Sequence, residues 1–415
     1  DITSFLQKNN DIMQAVMIKA QTLKGFRDFL PTKTKKRQFV INILKEVFEL
    51  YGFEPLETPA LEYEEVLTGK YGNEGEKLMY KFEDNGKRKV ALRYDQTVPL
   101  ARVVTQYQSE LILPFKRYQI QNVWRAENTQ KGRYREFLQC DIDTVGSPSL
   151  KADAEIIACV LECCKVLGFK NVNAVINDRS VFKDLKPQYV STIDKLEKIG
   201  VEAVIEELIA KGMEKKQAKQ IISSFNAAKP TRANKELIDK LKKFGLKENK
   251  DFVFKPSLAR GLDYYTSTIV EIVSNDYSYG SLAGGGRYDN LIGIFSGKQI
   301  PAVGIAFGFD RLIEAMEELK LFPNDLAVSK ILITNSDKAI EIASELRQNY
   351  INSEIYLDEK DLEKQLKYAD KKQIPYVIIT NDKGLILKDM GKRTQETLSL
   401  EEIIKKLSAC TCGNC

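Results

Sequence analysis

The chain has 415 residues, 43% of them hydrophobic and 29% charged, a balance suited to a soluble globular protein of two or three domains. Its formal charge is only +5, which does little to mark a polyanionic partner. It contains no histidine, which excludes a Ser-His or Cys-His nucleophile and any imidazole metal site, so chemistry must run on Arg, Asp, Glu, Lys, Tyr or the substrate itself. Seven cysteines are too few for a disulfide framework. No apolar run nears the length of a membrane span, and the first residues, with Asp1 and Asp11, do not read as a secretory signal. A cytoplasmic location is expected, with neither membrane nor DNA as a partner.

Residues 1–21 read as an N-terminal extension with a weak apolar stripe of Phe5, Leu6, Ile12, Val16 and Met17. KGFRDFLP (24–31) leads to a helix in which Val40, Ile43, Leu44, Val47, Phe48 and Tyr51 recur at helical spacing, with Gly52 as its stop. FEPLETPALEY follows, and Pro55 and Pro59 suit an edge strand or a strand start. KVALRYDQTVPLAR (89–102) predicts a strand running into a helix. Asp95 and Thr97 stand at the junction, where both residue types also serve as ordinary caps.

Residues 115–146, FKRYQIQNVWRAENTQKGRYREFLQCDIDTVG, predict a long hairpin with a basic loop near 127–134. In its second arm Leu138, Cys140 and Ile142 point one way and Gln139, Asp141 and Asp143 the other. The first set suits a core. The second places two carboxylates on one strand face, where they need water or a cationic ligand. Arg125 ends the first arm, and Arg133 and Arg135 close the loop. Arginines beside acids on one sheet fit a zwitterion plus phosphates, although a surface hairpin with solvated charges would carry the same pattern.

Residues 152–167 predict an amphipathic helix with Cys159, Cys163 and Cys164 reduced and packed, and 171–178 a strand. From Pro187 to Gly245 short helical patterns are broken by Gly200, Gly212, Pro230 and Gly245, with many lysines. This is expected to be a helical domain inserted at 187–248. LARGLDYYTSTIVEIV (258–273) sets Arg260, Asp263, Tyr264 and Tyr265 into an apolar strand. In YGSLAGGGRYDNLI (279–292), Gly284, Gly285 and Gly286 allow close backbone approach or positive φ. PAVGIAFGFDRLIEAMEEL (301–319) reads as a strand entering a helix, with Asp310 as a candidate cap and Arg311 in the first turn. After Pro323 strands alternate with helices over 328–408, a compact α/β pattern. The tail CTCGNC, with Cys410, Cys412 and Cys415, is an incomplete zinc set, and no metal site is expected.

Together these stretches resemble a known family. The helix and proline-bearing strand, the W-R-x-E…G-R-Y-R-E-F-x-Q hairpin, and G-x-x-x-G-F-D-R-L are similar to motifs 1, 2 and 3 of class II aminoacyl-tRNA synthetases. L-R-x-D-x-T at 92–97, R-G-L-D-Y-Y-T at 260–266 and the glycine triplet after it resemble signatures of the histidyl-tRNA synthetase family. The resemblance runs from residue 22 to 408. It implies an α+β catalytic domain on an antiparallel sheet (22–186 and 249–322), the helical insertion (187–248), a C-terminal α/β anticodon-binding domain (328–408) and a cysteine tail (409–415).

The resemblance further implies ATP-dependent activation of histidine to histidyl-adenylate and transfer to tRNA(His), with Mg2+ accompanying ATP and a homodimer built through motif 1. By motif position Arg125 would hold the α-phosphate and Arg311 the γ-phosphate, and Arg260 would be the catalytic arginine beside the reacting carboxylate. Glu127 and Arg133 would approach adenine and phosphates. Asp95, Thr97 and Gln139 would bind the α-ammonium, and Asp143 and Tyr265, with Tyr264 beside them, the imidazole. On that reading Asp143→Ala abolishes histidine activation and leaves the fold intact. The alternative is an inactive regulatory paralogue that binds histidine or tRNA without ligating them.

Overall fold

The fold is that of a computed structural model describing residues 19–70, 72–129, 133–259, 264–381 and 384–411. The chain divides into two compact units, Asp1–Leu321 and Phe322–Cys415.

In the first unit, α1 (Pro31–Leu50) opens on a proline, whose fixed φ suits the first helical turn, ahead of the apolar repeat that begins at Val40. Val40, Leu44, Val47 and Phe48 are buried, and Gly52, at φ 75°, takes the left-handed turn that ends the helix. The proline-bearing segment forms two short strands rather than one, β1 (Glu54–Pro55) and β2 (Leu61–Tyr63). Then come β3 (Lys81–Glu83), β4 (Lys89–Leu92), α2 (Thr97–Gln106), β5 (Phe115–Trp124) and β6 (Glu136–Val145). Next are α3 (Leu150–Val166), whose first turn is capped by Ser149 Oγ, and β7 (Val172–Asp178).

The stretch that follows is helical: α4 (Pro187–Ile193), α5 (Leu196–Ala210, kinked at Gly200), α6 (Lys215–Ala227) and α7 (Arg232–Lys243). Val190, Ile193, Leu208 and Phe225 share one apolar cluster with Val175 and Ile269 of the main sheet, and α7 packs on α3. Four strands, β8 (Phe252–Phe254), β9 (Thr268–Ser274), β10 (Ala283–Arg287) and β11 (Ala302–Gly308), and a helix, α8 (Phe309–Glu318), complete the unit.

The main sheet has eight strands in the order β1-β5-β6-β11-β10-β9-β7-β8. All inner pairings are antiparallel, and only the two edges, β1 on β5 and β8 on β7, are parallel. Pro55, which cannot donate to a ladder, sits on the edge strand. The small strands β2, β4 and β3 form a second, antiparallel sheet. Helix α3 lies against β6, β7, β9, β10 and β11 and packs on α1. Cys140 and Ile142 of β6 are fully buried, as their alternation requires, and Cys159, Cys163 and Cys164 are free and buried. The run 258–273 is not one strand: β9 starts at Thr268, and residues 260–263 lie outside the described ones. Close approach is what the glycines of β10 allow. A Cβ on Gly285 would lie 1.9 Å from the Gly304 carbonyl oxygen of β11.

The second unit holds β12 (Ile331–Ile333), α9 (Ala339–Gln348), β13 (Ser353–Ile355), α10 (Leu362–Lys371), β14 (Tyr376–Asn381), β15 (Gly384–Asp389), β16 (Thr394–Leu398) and α11 (Leu400–Thr411). Its sheet runs β13-β12-β14-β15-β16, parallel in the first three strands and antiparallel in the last two. Cys410 falls in α11, and Cys412 and Cys415 lie outside the described residues. Among the described residues no helix is long and apolar enough to cross a membrane.

Candidate active site

The hairpin register decides which side chains meet. Across β5 and β6, Arg117 stands opposite Asp143, Gln119 opposite Asp141, and Gln121 opposite Gln139. The two-residue period of a strand puts all six on the face away from Cys140 and Ile142. This is a buried polar layer. Arg117, wholly buried, forms an ion pair with Asp143, Nη2 to Oδ2 at 2.8 Å. Gln119 Nε2 donates to Thr58 Oγ1 at 2.8 Å, and Arg93 Nη1 donates to Gln121 Oε1 at 2.9 Å.

Over this layer opens a cavity of about 380 Å³. It gathers seven of the residues singled out in the sequence: Asp95, Thr97, Arg125, Gln139, Asp143, Tyr264 and Tyr265. Asp141, Tyr288, Asp194 and Glu271 also line it. Among the described residues its lining offers five carboxylates to one guanidinium, a field that favours a cation. Asp95 does double duty: Oδ1 accepts from Val98 N at 3.1 Å, capping α2, and the residue still lines the cavity. Arg125 Nε donates to the Tyr94 carbonyl at 3.1 Å, and its guanidinium lies 4.5 Å from the Tyr94 ring and 5.1 Å from the Phe137 ring.

The other described site residues, Arg311, Glu127 and Arg133, do not line this cavity. Arg311, in the first turn of α8, donates to the Ser281 carbonyl at 2.9 Å and lines an adjoining cavity of about 640 Å³, which shares Asp194 and Glu271 with the first. Glu127 and Arg133 form a loose ion pair of 3.6 Å in the loop beyond the hairpin arms, with Arg133 exposed. Arg260 and Asp263 lie outside the described residues.

Asp310 is not a cap. Its two oxygens are taken by Arg27 Nη2 and Arg37 Nη1, each at 2.7 Å. The Arg27 guanidinium also stacks 3.2 Å over the ring of Tyr134 from the hairpin loop. The start of α8, and with it Arg311, is thereby tied to the hairpin and to the segment before α1.

Two partners escaped the sequence reading. Tyr288 donates its hydroxyl to Asp143 from 145 residues away, which nothing local announces. Arg117 could have been found by counting the hairpin register back from its tip. The ion pair changes the expectation for Asp143→Ala: that acid also balances a buried guanidinium, so its removal is expected to destabilise the fold. Burial raises the Asp143 carboxyl above its usual range, opposed by Arg117 and the Tyr288 hydroxyl. Asp141 is pushed up well above that range, first by burial; Arg117 pulls it back, and Asp143 and Asp95 add to the rise.

A family model described as histidyl-tRNA synthetase matches residues 25–204 and 191–312. The chain belongs to the histidyl-tRNA synthetase family. A second model, described as an anticodon binding domain, matches residues 326–409. The histidine–tRNA ligase of Cytophaga hutchinsonii is 38% identical over 452 aligned residues, which span 94% of this chain and 100% of that protein. That of Treponema denticola is 36% identical, over 95% of this chain and 99% of the relative. A crystal structure of histidyl-tRNA synthetase from Nostoc superimposes with a TM-score of 0.82 at 29% identity, covering 94% of this chain and all of the other. The antiparallel catalytic sheet and the C-terminal mixed sheet are therefore the family's fold.

Proposed function

We propose that this chain is a ligase that activates histidine with ATP and transfers it to tRNA(His). The observation that carries the reading is the acid-lined cavity over β6 with Arg125 at its edge, on a chain of this family. No protein nucleophile is needed. A substrate carboxylate oxygen attacks the α-phosphorus, the bond to the β-phosphate breaks, and pyrophosphate leaves with the bonding electrons. In the second step a ribose hydroxyl of the tRNA attacks the acyl carbon and AMP leaves. The protein positions two anions and stabilises charge growing on the phosphate, work suited to the rigid, always-charged guanidinium fork.

Arg125 is assigned to the α-phosphate, with the Phe137 ring nearby to take a base, and Arg311 to the γ-phosphate. Arg260 is assigned by motif alone as the arginine beside the reacting carboxylate. Glu127 and Arg133 approach the nucleotide from the loop. Asp95, Thr97 and Gln139 take the α-ammonium, and Asp143, Tyr264 and Tyr265 the ring. A site that hydrogen-bonds both ring nitrogens rejects analogues lacking them by about 10⁴-fold. Magnesium arrives with ATP, carried on its phosphates.

We assign 22–186 and 249–322 to catalysis, 187–248 to an insertion whose lysines meet tRNA phosphates, and 328–408 to the anticodon. No role is assigned to 1–21 or 409–415. A homodimer is supported by the apolar side chains Leu61, Tyr63 and Phe82, which are exposed on the small sheet. A cytoplasmic location fits the free, buried cysteines. Amino-acid-dependent ATP–pyrophosphate exchange, run with all twenty amino acids, tests the reading. Exchange with histidine alone is expected. Histidine binding without exchange would favour the inactive paralogue instead.

A further inference from the structure

Asp143 has its charge answered inside the protein, by Arg117 at 2.8 Å and by the Tyr288 hydroxyl. Asp141 lies one pleat away on the same face of β6 and is equally buried, but it is differently placed. Its Oδ2 accepts from Gln139 Nε2 at 3.1 Å, while Oδ1 is buried without a hydrogen bond. Gln139 Oε1 is likewise buried and unbonded. Both residues line the cavity beside Asp95 and Thr97. Among the described residues, two adjacent acceptors are thus held out of water with no donor, which is unfavourable unless a donor arrives. The cavity's excess of carboxylates selects a donor that is also a cation. Its volume of about 380 Å³ suits an amino acid rather than a segment of polymer.

We propose that Asp141 is a direct ligand of the substrate's α-ammonium group, accepting one N–H at Oδ1 while Gln139 Oε1 accepts another. Asp95 adds the second negative charge of that seat, and Asp143, held by Arg117 and Tyr288, faces the ring. An ammonium has three N–H donors and no acceptor, so it can satisfy both open oxygens at once. The inference rests on the histidine reading and adds a residue to it. The position is specific: Asp143, two residues on, already has its charge paired with Arg117.

Asp141→Asn in the full-length protein keeps the shape and removes the charge. Titration calorimetry with three probes reads the result: L-histidine, histidinol (ammonium and ring, no carboxylate) and imidazolepropionate (ring and carboxylate, no ammonium). Losing a charge-assisted hydrogen bond is expected to weaken histidine and histidinol by about 10- to 100-fold, while imidazolepropionate and ATP bind as before. Unchanged histidine affinity would overturn the proposal. So would equal losses for all three probes, since that places Asp141 on the ring or in the scaffold. Should the Asn variant not fold, Asp141→Glu must show a loss confined to the two ammonium-bearing probes, and equal losses again overturn it. If the parent protein binds none of the three, the histidine reading itself falls, an outcome distinct from any confined to the variant.

Discussion

Gln139 in the catalytic sheet and Gln365 in the second unit are the same residue type at nearly the same burial, 7% and 5% exposed. Gln365 is bonded at both ends of its amide. Its Oε1 accepts from Asn335 N at 2.9 Å and its Nε2 donates to the Lys360 carbonyl at 2.6 Å, tying the loop after β12 to the start of α10. The side chain of Gln139 bonds Asp141 and leaves Oε1 buried and unbonded, in a residue that lines a cavity. Buried polarity therefore has two meanings here. Where the chain's own backbone bonds both ends of the amide, the residue fastens the fold. Where oxygens are left open beside like charges, the fold tolerates a cost that a ligand offsets.

That contrast is sharpest at Asp143, which belongs to both categories. Asp143→Ala strands the wholly buried Arg117, and a loss of about 3–5 kcal/mol is expected, read as a fall in the denaturant midpoint. A change under about 1 kcal/mol would mean that the ion pair carries little of the layer's stability. Arg125→Ala tests the opposite case, a charge kept for the ligand. Histidine-dependent exchange should fall by on the order of 10²–10³ with the melting temperature nearly unmoved. A large destabilisation with intact turnover would reverse the assignment. For Gln365→Ala the expectation is about 1–3 kcal/mol, from two backbone groups left unbonded, with the exchange rate at its parent value. Lost exchange without lost stability would end the comparison.

Much of this was legible from local pattern. The alternation in EFLQCDIDTV separates Leu138, Cys140 and Ile142 from Gln139, Asp141 and Asp143; the structure buries Cys140 and Ile142 fully, leaves Leu138 half-buried at the strand's start, and opens a cavity over the second set. Asp95 and Thr97 were placed at a strand–helix junction and are found there. What local pattern cannot carry is partnership across the chain. Tyr288 reaches Asp143 from another strand's end, and Arg27 and Arg37 take Asp310 from more than 270 residues away, so an acid that looks like a cap is in fact a tie. Nor does strand–helix alternation reveal that the second sheet turns antiparallel after β14. Such pairings are set by tertiary packing, which intrinsic preference records weakly.

The smallest effect is also the most discriminating. Burial, reinforced by Asp143 and Asp95 and opposed by Arg117, holds the Asp141 carboxyl above the value it has in the unfolded chain. Between the two values the folded protein binds more protons than the unfolded one, so this residue's contribution to stability falls as pH rises through that window. Asparagine has no proton to lose. Without histidine, Asp141→Asn should therefore melt above the parent at pH 8, and the gap should narrow as the solution is acidified toward the ordinary carboxylate range. Saturating histidine should then stabilise the parent more than the variant, because a ligand raises stability in proportion to the logarithm of its occupancy ratio. A variant less stable than the parent at both pH values would show that the open carboxylate was already balanced within the protein, and that Gln139 and Gln365 differ in geometry but not in purpose.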